Sequence, residues 1–232
     1  MAHALPRTGD PGPVEGAGCD TSDMLVIHRL IRSSFDEAPG LVAGVADGDR
    51  TRAEIVGAHV EALATSLHGH HHSEDTILWD ELERRAPSCA IHIGRMRAQH
   101  AEMAEHLAEL QAALPAWRES GSRADAAPVR AALDAVLASL RLHLPDEETS
   151  ILPVAQHAMS QKAWDRLGEA GRASVPRDRV FIQLGFILAS LPDAEREKWK
   201  KDFLPLPARV LYAIVGRRQY ERYRARLSGT SA

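Results

Sequence analysis

Two stretches of the chain carry nearly the same chemical phrase. Leu67 to Asp80 reads LHGHHHSEDTILWD, and His143 to Pro153 reads HLPDEETSILP. Superposed, His70 meets His143, Glu74 meets Glu147, Asp75 meets Glu148 and Thr76 meets Thr149. Each copy is His-x-x-x-Glu followed by a second acid. Residues i and i+4 of a helix stack on one face, about 6 Å apart along the axis. An imidazole above a carboxylate is a metal-ligand pair, and two such helices facing each other enclose a metal box. A second register exists in the first copy, because His71 and Asp75 have the same spacing; the acid-acid-threonine alignment favours His70 with Glu74.

The repeat extends further. His28 lies 42 residues before His70, and His100 lies 43 before His143. The chain is therefore a doubled helix pair, each half giving a His and then His-x-x-x-Glu. The sum is four imidazoles and two carboxylates on core-facing stripes: His28, His70, Glu74, His100, His143 and Glu147. Single histidines on apolar stripes are commonly plain core residues; the repeat is what singles out His28 and His100. Buried charges are costly unless paired or bound to metal. Imidazole with carboxylate and no thiolate suits iron, manganese or zinc. Asp75 and Glu148 either hold ligand imidazoles by the free ring N–H or are solvated acids at the bundle edge. His68 and His72 are expected at the rim or in water, His106 near the site or at the surface. His59, His92 and His157 read as ordinary residues.

The elements that position these groups are helical. Met24, His28, Ile31 and Phe35 form one stripe, broken or kinked by Pro39-Gly40. Thr51-Arg52-Ala53-Glu54 reads as a capping box that opens a helix to about Arg85. Ser88 can cap a third, in which Ile93, Met96, His100, Met103, Leu107, Leu110 and Leu114 alternate by three and four. A fourth starts near Asp125 to Pro128 and buries Leu133, Val136, Leu140, His143, Glu147, Ile151 and Val154. Pro145 lies inside it and is expected to distort it, at a cost of about 3 kcal/mol.

The fold class is all-α: an up-down-up-down four-helix bundle over residues 21–160, after a disordered Gly/Pro-rich segment 1–20 and before a helical C-terminal extension 161–232. Within the extension, short helices are expected over 160–171, 177–190 and 193–201, and a last one over 208–227.

This pattern resembles the hemerythrin-like (HHE cation-binding) domains, in the subgroup with ligands His, His-x-x-x-Glu, His, His-x-x-x-Glu, over about residues 20 to 160. The resemblance implies a non-haem centre of two iron ions bridged by two carboxylates, with the six residues above as ligands; manganese or zinc are the alternatives. It also implies a small diatomic or peroxide ligand and an electron donor that the chain does not name. Two departures bear on activity. Oxygen-carrying hemerythrins place a further histidine where this chain has Ala104, and they end in His-x-x-x-x-Asp. Fewer imidazoles leave more open coordination positions. That favours a di-iron oxidoreductase, catalase-like or nitric oxide reductase-like, over reversible oxygen carriage. A sensor or store of oxygen, nitric oxide or iron, signalling through the extension, is the other reading.

Composition narrows the rest. The 232 residues are 44% hydrophobic, with net charge −4. Residues 175–232 hold 12 basic and 6 acidic side chains, so the tail is basic. Val210 to Val215 followed by Arg217, Arg218, Arg222, Arg224 and Arg226 either packs on the bundle or docks on an acidic surface. No nucleic-acid module is recognisable. Cys19 and Cys89 make no disulfide framework, and neither a leader nor a transmembrane segment is expected. A cytoplasmic setting fits.

Overall fold

Apolar residues spaced by three and four build four long helices whose stripes close on one another. The computed structural model describes residues 18–229. Helix α1 is Ser22–Ala43 and α2 is Arg50–Ser73. A π-helical turn, Glu74–Leu78, carries α2 into α3, Trp79–Arg85. After a 3₁₀ turn at Pro87–Cys89 come α4, Ala90–Ser120, and α5, Arg123–Ser150. Helix α4 packs on α5 and α2, and α1 packs on α5 and α2, which closes the ring. Short connections between neighbours make the helices alternate in direction, as an up-down-up-down bundle requires. Among the described residues there is no strand; the sole extended pairing is an isolated bridge between Gly18 and Ser160.

Several local expectations are corrected. Asp49, not Thr51, caps α2: its carboxylate accepts from the Arg52 N–H at 3.0 Å. A 3₁₀ turn rather than the Ser88 side chain starts α4. Helix α1 runs unbroken through Pro39, and α5 through Pro145. Each proline removes one ladder bond, but a helix held by its neighbours draws most of its stability from packing. The Thr149 hydroxyl donates to the Pro145 carbonyl at 2.8 Å, and Thr76 does the same to His72 at 2.8 Å, so the two copies of the phrase repeat even this bond.

At one end, the α1–α2 and α4–α5 connections touch through Gly48 N–H and the Gly121 carbonyl, 2.9 Å apart. Gly121 ends α4 with φ of 64°, and a Cβ there would lie 2.7 Å from the Asp49 backbone. Both the left-handed backbone and the close approach demand glycine.

The chain continues with α6 (Leu152–Ala158), α7 (Gln161–Ala173), α8 (Val180–Ser190), α9 (Asp193–Phe203), α10 (Leu206–Leu211) and, past a second π turn at Tyr212–Gly216, α11 (Arg217–Ser228). Helix α7 packs on α2 and the first π turn, α8 on α1, and α11 on α8 and α2. Leu227 is buried in the main core, with Phe186 and Tyr223 against it. Arg224 grips Glu37 of α1 with two bonds of 2.7 and 2.8 Å. Of the segment expected to be disordered, residues 1–17 lie outside the described residues. Gly18 and Cys19 are held by backbone bonds to Met159 and Gln156. Both cysteines are buried free thiols. No helix among the described residues is long and apolar enough to cross a membrane.

Candidate metal centre

The core divides into two apolar clusters, one built around Phe35, Val60, Leu110 and Leu133 and the other around Trp79, Met96, Ile151 and Trp164. Along each bundle helix a polar residue sits between them. Helix α1 gives Met24, His28, Ile31; α2 and its π turn give Leu67, His71 with Glu74, Leu78. Helix α4 gives Met96, His100, Met103, and α5 gives Leu144, Glu147, Ile151. The result is a buried layer holding all six residues singled out by the repeat, plus His71. His28, Glu74, His143 and Glu147 are fully buried, His71 and His100 nearly so, and the His70 side chain is 12% exposed.

Two groups of donors form in this layer. His71, Glu74, His100 and His143 bring ligand atoms within 4.8 Å of one another, as do His28, His70 and Glu74. Glu74 belongs to both: Oε1 is 3.2 Å from His70 Nε2, and Oε2 is 3.5 Å from His100 Nε2. Glu147 also faces both, with Oε2 3.2 Å from His28 Nε2 and 3.6 Å from His143 Nε2. The fifth imidazole, His71, stacks on His100 with ring centres 4.1 Å apart. The spacing argument treated His71 as a rival to His70. Both histidines lie in the last turn of α2, ahead of the π turn, and both reach the layer. The available signal was the His-His pair just ahead of the acid.

Outer hydrogen bonds fix which ring nitrogen points inward. His100 Nδ1 meets Asp75 Oδ1 at 2.8 Å, and Asp75 is also held by the Trp79 indole N–H at 2.7 Å. His28 Nδ1 meets Glu148 Oε1 at 2.9 Å, and Arg32 pairs with the same oxygen at 2.8 Å. His143 Nδ1 meets Gln99 Oε1 at 3.0 Å; the Gln99 amide is oriented by donating to Asp146 at 3.2 Å. Where the ring is neutral, an Nδ1–H that donates outward leaves the Nε2 lone pair turned inward, as for His100 and His143. His100 Nε2 and His143 Nε2 then face each other at 3.3 Å. Converging lone pairs and carboxylates repel unless a cation lies among them.

The electrostatics agree. The Nε2 atoms of His28, His70 and His71 and both oxygens of Glu74 and Glu147 are buried without an aligned hydrogen-bond partner, although several approach closely. Burial, with the neighbouring imidazoles, drives His70 down to about 3 and His143 to about 4, and His71 well below its ordinary value. These rings are therefore neutral at pH 7 and free to donate electron pairs. Burial and the charge of Glu147 push Glu74 far up. His28 is held at about 9, Glu147 and Glu148 overcoming its burial. A proton there stands in for a positive charge that the layer needs. Five buried or nearly buried imidazoles and two carboxylates, with three ring nitrogens and all four carboxylate oxygens orphaned, fit metal ions.

A comparison with protein families matches residues 20–155 to the hemerythrin HHE cation-binding domain. The chain belongs to that family. The helical bundle and the His/Glu layer are what a hemerythrin-like cation-binding domain needs, and the match covers every residue of the layer. No curated protein and no solved structure matches the chain significantly. His59, His92 and His157 lie outside the hemerythrin-like layer. Of these His59 is buried, its Nδ1 2.9 Å from the Tyr223 hydroxyl.

Proposed function

We propose that this hemerythrin-like chain holds two iron ions and turns over a small oxidant, peroxide or nitric oxide, in a cytoplasmic setting. Glu74 carries the reading: it is the member common to both donor groups, with one oxygen toward each. His71, His100 and His143 would hold one ion and His28 and His70 the other, with Glu74 and Glu147 between them. Bound iron would supply one-electron redox chemistry at the layer; the chain orients the imidazoles through Asp75, Gln99 and Glu148 and keeps water out with its two apolar clusters. The electron donor is a separate molecule. Manganese or zinc would fill the same donors without the same redox range.

The test is metal analysis with an absorption spectrum on protein from iron-supplied cells, followed by peroxide and nitric oxide assays. Two irons per chain with turnover are expected, and Glu147→Gln should lose both. One zinc per chain, or turnover that survives Glu147→Gln, sinks the assignment.

His71 favours a second reading. With five imidazoles fewer positions remain open than four would leave, so reversible binding by a sensor or store gains ground. Helix α7, packed on α2 and the π turn, would relay occupancy to the extension. Stoichiometric ligand binding without turnover selects this reading.

A further inference from the structure

We propose that the C-terminal extension and the bundle together form a binding site for a single-chain fatty acid beside His70. The binding site itself does not depend on which metal the layer holds; the spectral readout below rests on the iron reading.

A cavity of about 390 Å³ lies between bundle and extension. That is within the range of small-molecule sites, roughly 300–1,000 Å³. Helices α1 and α2 supply Ile27, Leu30, Ile31 and Ser73, with His70 of the layer itself. Helices α7, α8 and α9 supply the facing wall, including Leu167, Leu184, Ile187 and Phe203. His70 is also the most exposed of the five inward imidazoles. A molecule in this cavity therefore sits against the edge of the metal centre. A second cavity, about 320 Å³, shares Leu30, Ile31, Ser66, Ser174, Val175 and Gln183 with the first and reaches His59 and Tyr223. The two adjoin, and together they offer far more apolar room than a diatomic gas needs.

The polar groups select the head. Asp23 is the one acid in the wall of the first cavity, and it is engaged by the Trp164 indole at 2.9 Å and the Met24 N–H at 2.9 Å. Arg172, in the same wall, is exposed and makes no ion pair among the described residues. The Trp199 indole N–H, also of this wall, is buried with no acceptor. A free cation and an orphan donor beside a hydrocarbon surface fit a carboxylate on an alkyl chain.

Gly171 gives the decisive variant. It lines the cavity, and a Cβ built there meets nothing within 4 Å. Gly171→Phe should fill the space without disturbing α7, and far-ultraviolet circular dichroism with iron content checks that it folds; Gly171→Leu replaces it if it does not. Dodecanoate is titrated into the full-length protein carrying a fluorescent polyene fatty acid. Displacement is expected, at least tenfold weaker in Gly171→Phe and in Arg172→Glu. In iron-loaded protein, dodecanoate should also perturb the absorption spectrum. No displacement, or equal displacement from wild type and a folded Gly171 variant, overturns the site. Dodecanol binding as tightly as dodecanoate, with Arg172→Glu silent, overturns the carboxylate class.

Discussion

Asp75 ties the first copy of the phrase to the lone histidine of the second helix pair. Lying on the π turn, it reaches across to His100 of α4 and fixes which nitrogen of that ring faces Glu74. Asp75→Asn keeps the size but weakens the charge-assisted bond, and should lower metal affinity about 10–100-fold with the fold intact. Competition with a chelator measures this; unchanged affinity would make Asp75 a mere surface acid. Four histidines and two glutamates were legible because a repeat is a strong signal, even from one sequence. His71 was legible only as a rival to His70 and not as its companion, since a regular helix directs successive residues about 100° apart. The indole of Trp79 as a support for Asp75 was equally silent, because nothing in a Trp four residues after an Asp says which way either turns.

At the scale of elements, the helices were legible from periodicity, and their irregularities were not. Pro39 read as a break or kink and Pro145 as a distortion, yet both helices continue, because lateral packing outweighs a single missing bond. The break in the second copy falls instead at Ile151, between α5 and α6, just past Glu147; in the first copy the π turn falls at Glu74. Only the first copy departs from regular helix at its glutamate, through a π turn, a frequent companion of functional sites. The last helix illustrates a different limit. Its apolar start and basic end left packing and docking both open; the basic half, α11, buries Leu227 in the main core, while Val210, Leu211, Ile214 and Val215 of the apolar start stay exposed. Leu227→Ala should cost about 2–5 kcal/mol in chemical denaturation. A loss below about 0.5 kcal/mol would mean that α11 contributes nothing to the fold.

Over the whole molecule, acid should weaken the metal-free protein, in part through His59. Burial lowers this imidazole to about 4. Unfolded, it titrates near 6.5. Between those values the unfolded chain holds the extra proton, so stability rises with pH. The contribution is complete above 6.5 and is lost as pH falls toward 4. One proton gives a slope of up to about 1.4 kcal/mol per pH unit. His59→Phe, placed beside Phe186, should remove that slope between pH 6.5 and 4; denaturation midpoints across the window compare the two proteins, and parallel curves would refute the assignment.

The polar layer between the two apolar clusters has a consequence for how the molecule comes apart. Each cluster is continuous within itself, and the helices pass from one to the other through a stratum of imidazoles and carboxylates. Stripped of cations, that stratum is a seam of weak cohesion. Native-state hydrogen exchange should then divide the amides into two cooperative units, the one around Trp79, Met96 and Trp164 opening at lower free energy than the one around Phe35 and Leu133. Loading the layer should merge them into a single transition, since ions whose donors together come from all four helices would stabilise only the closed form.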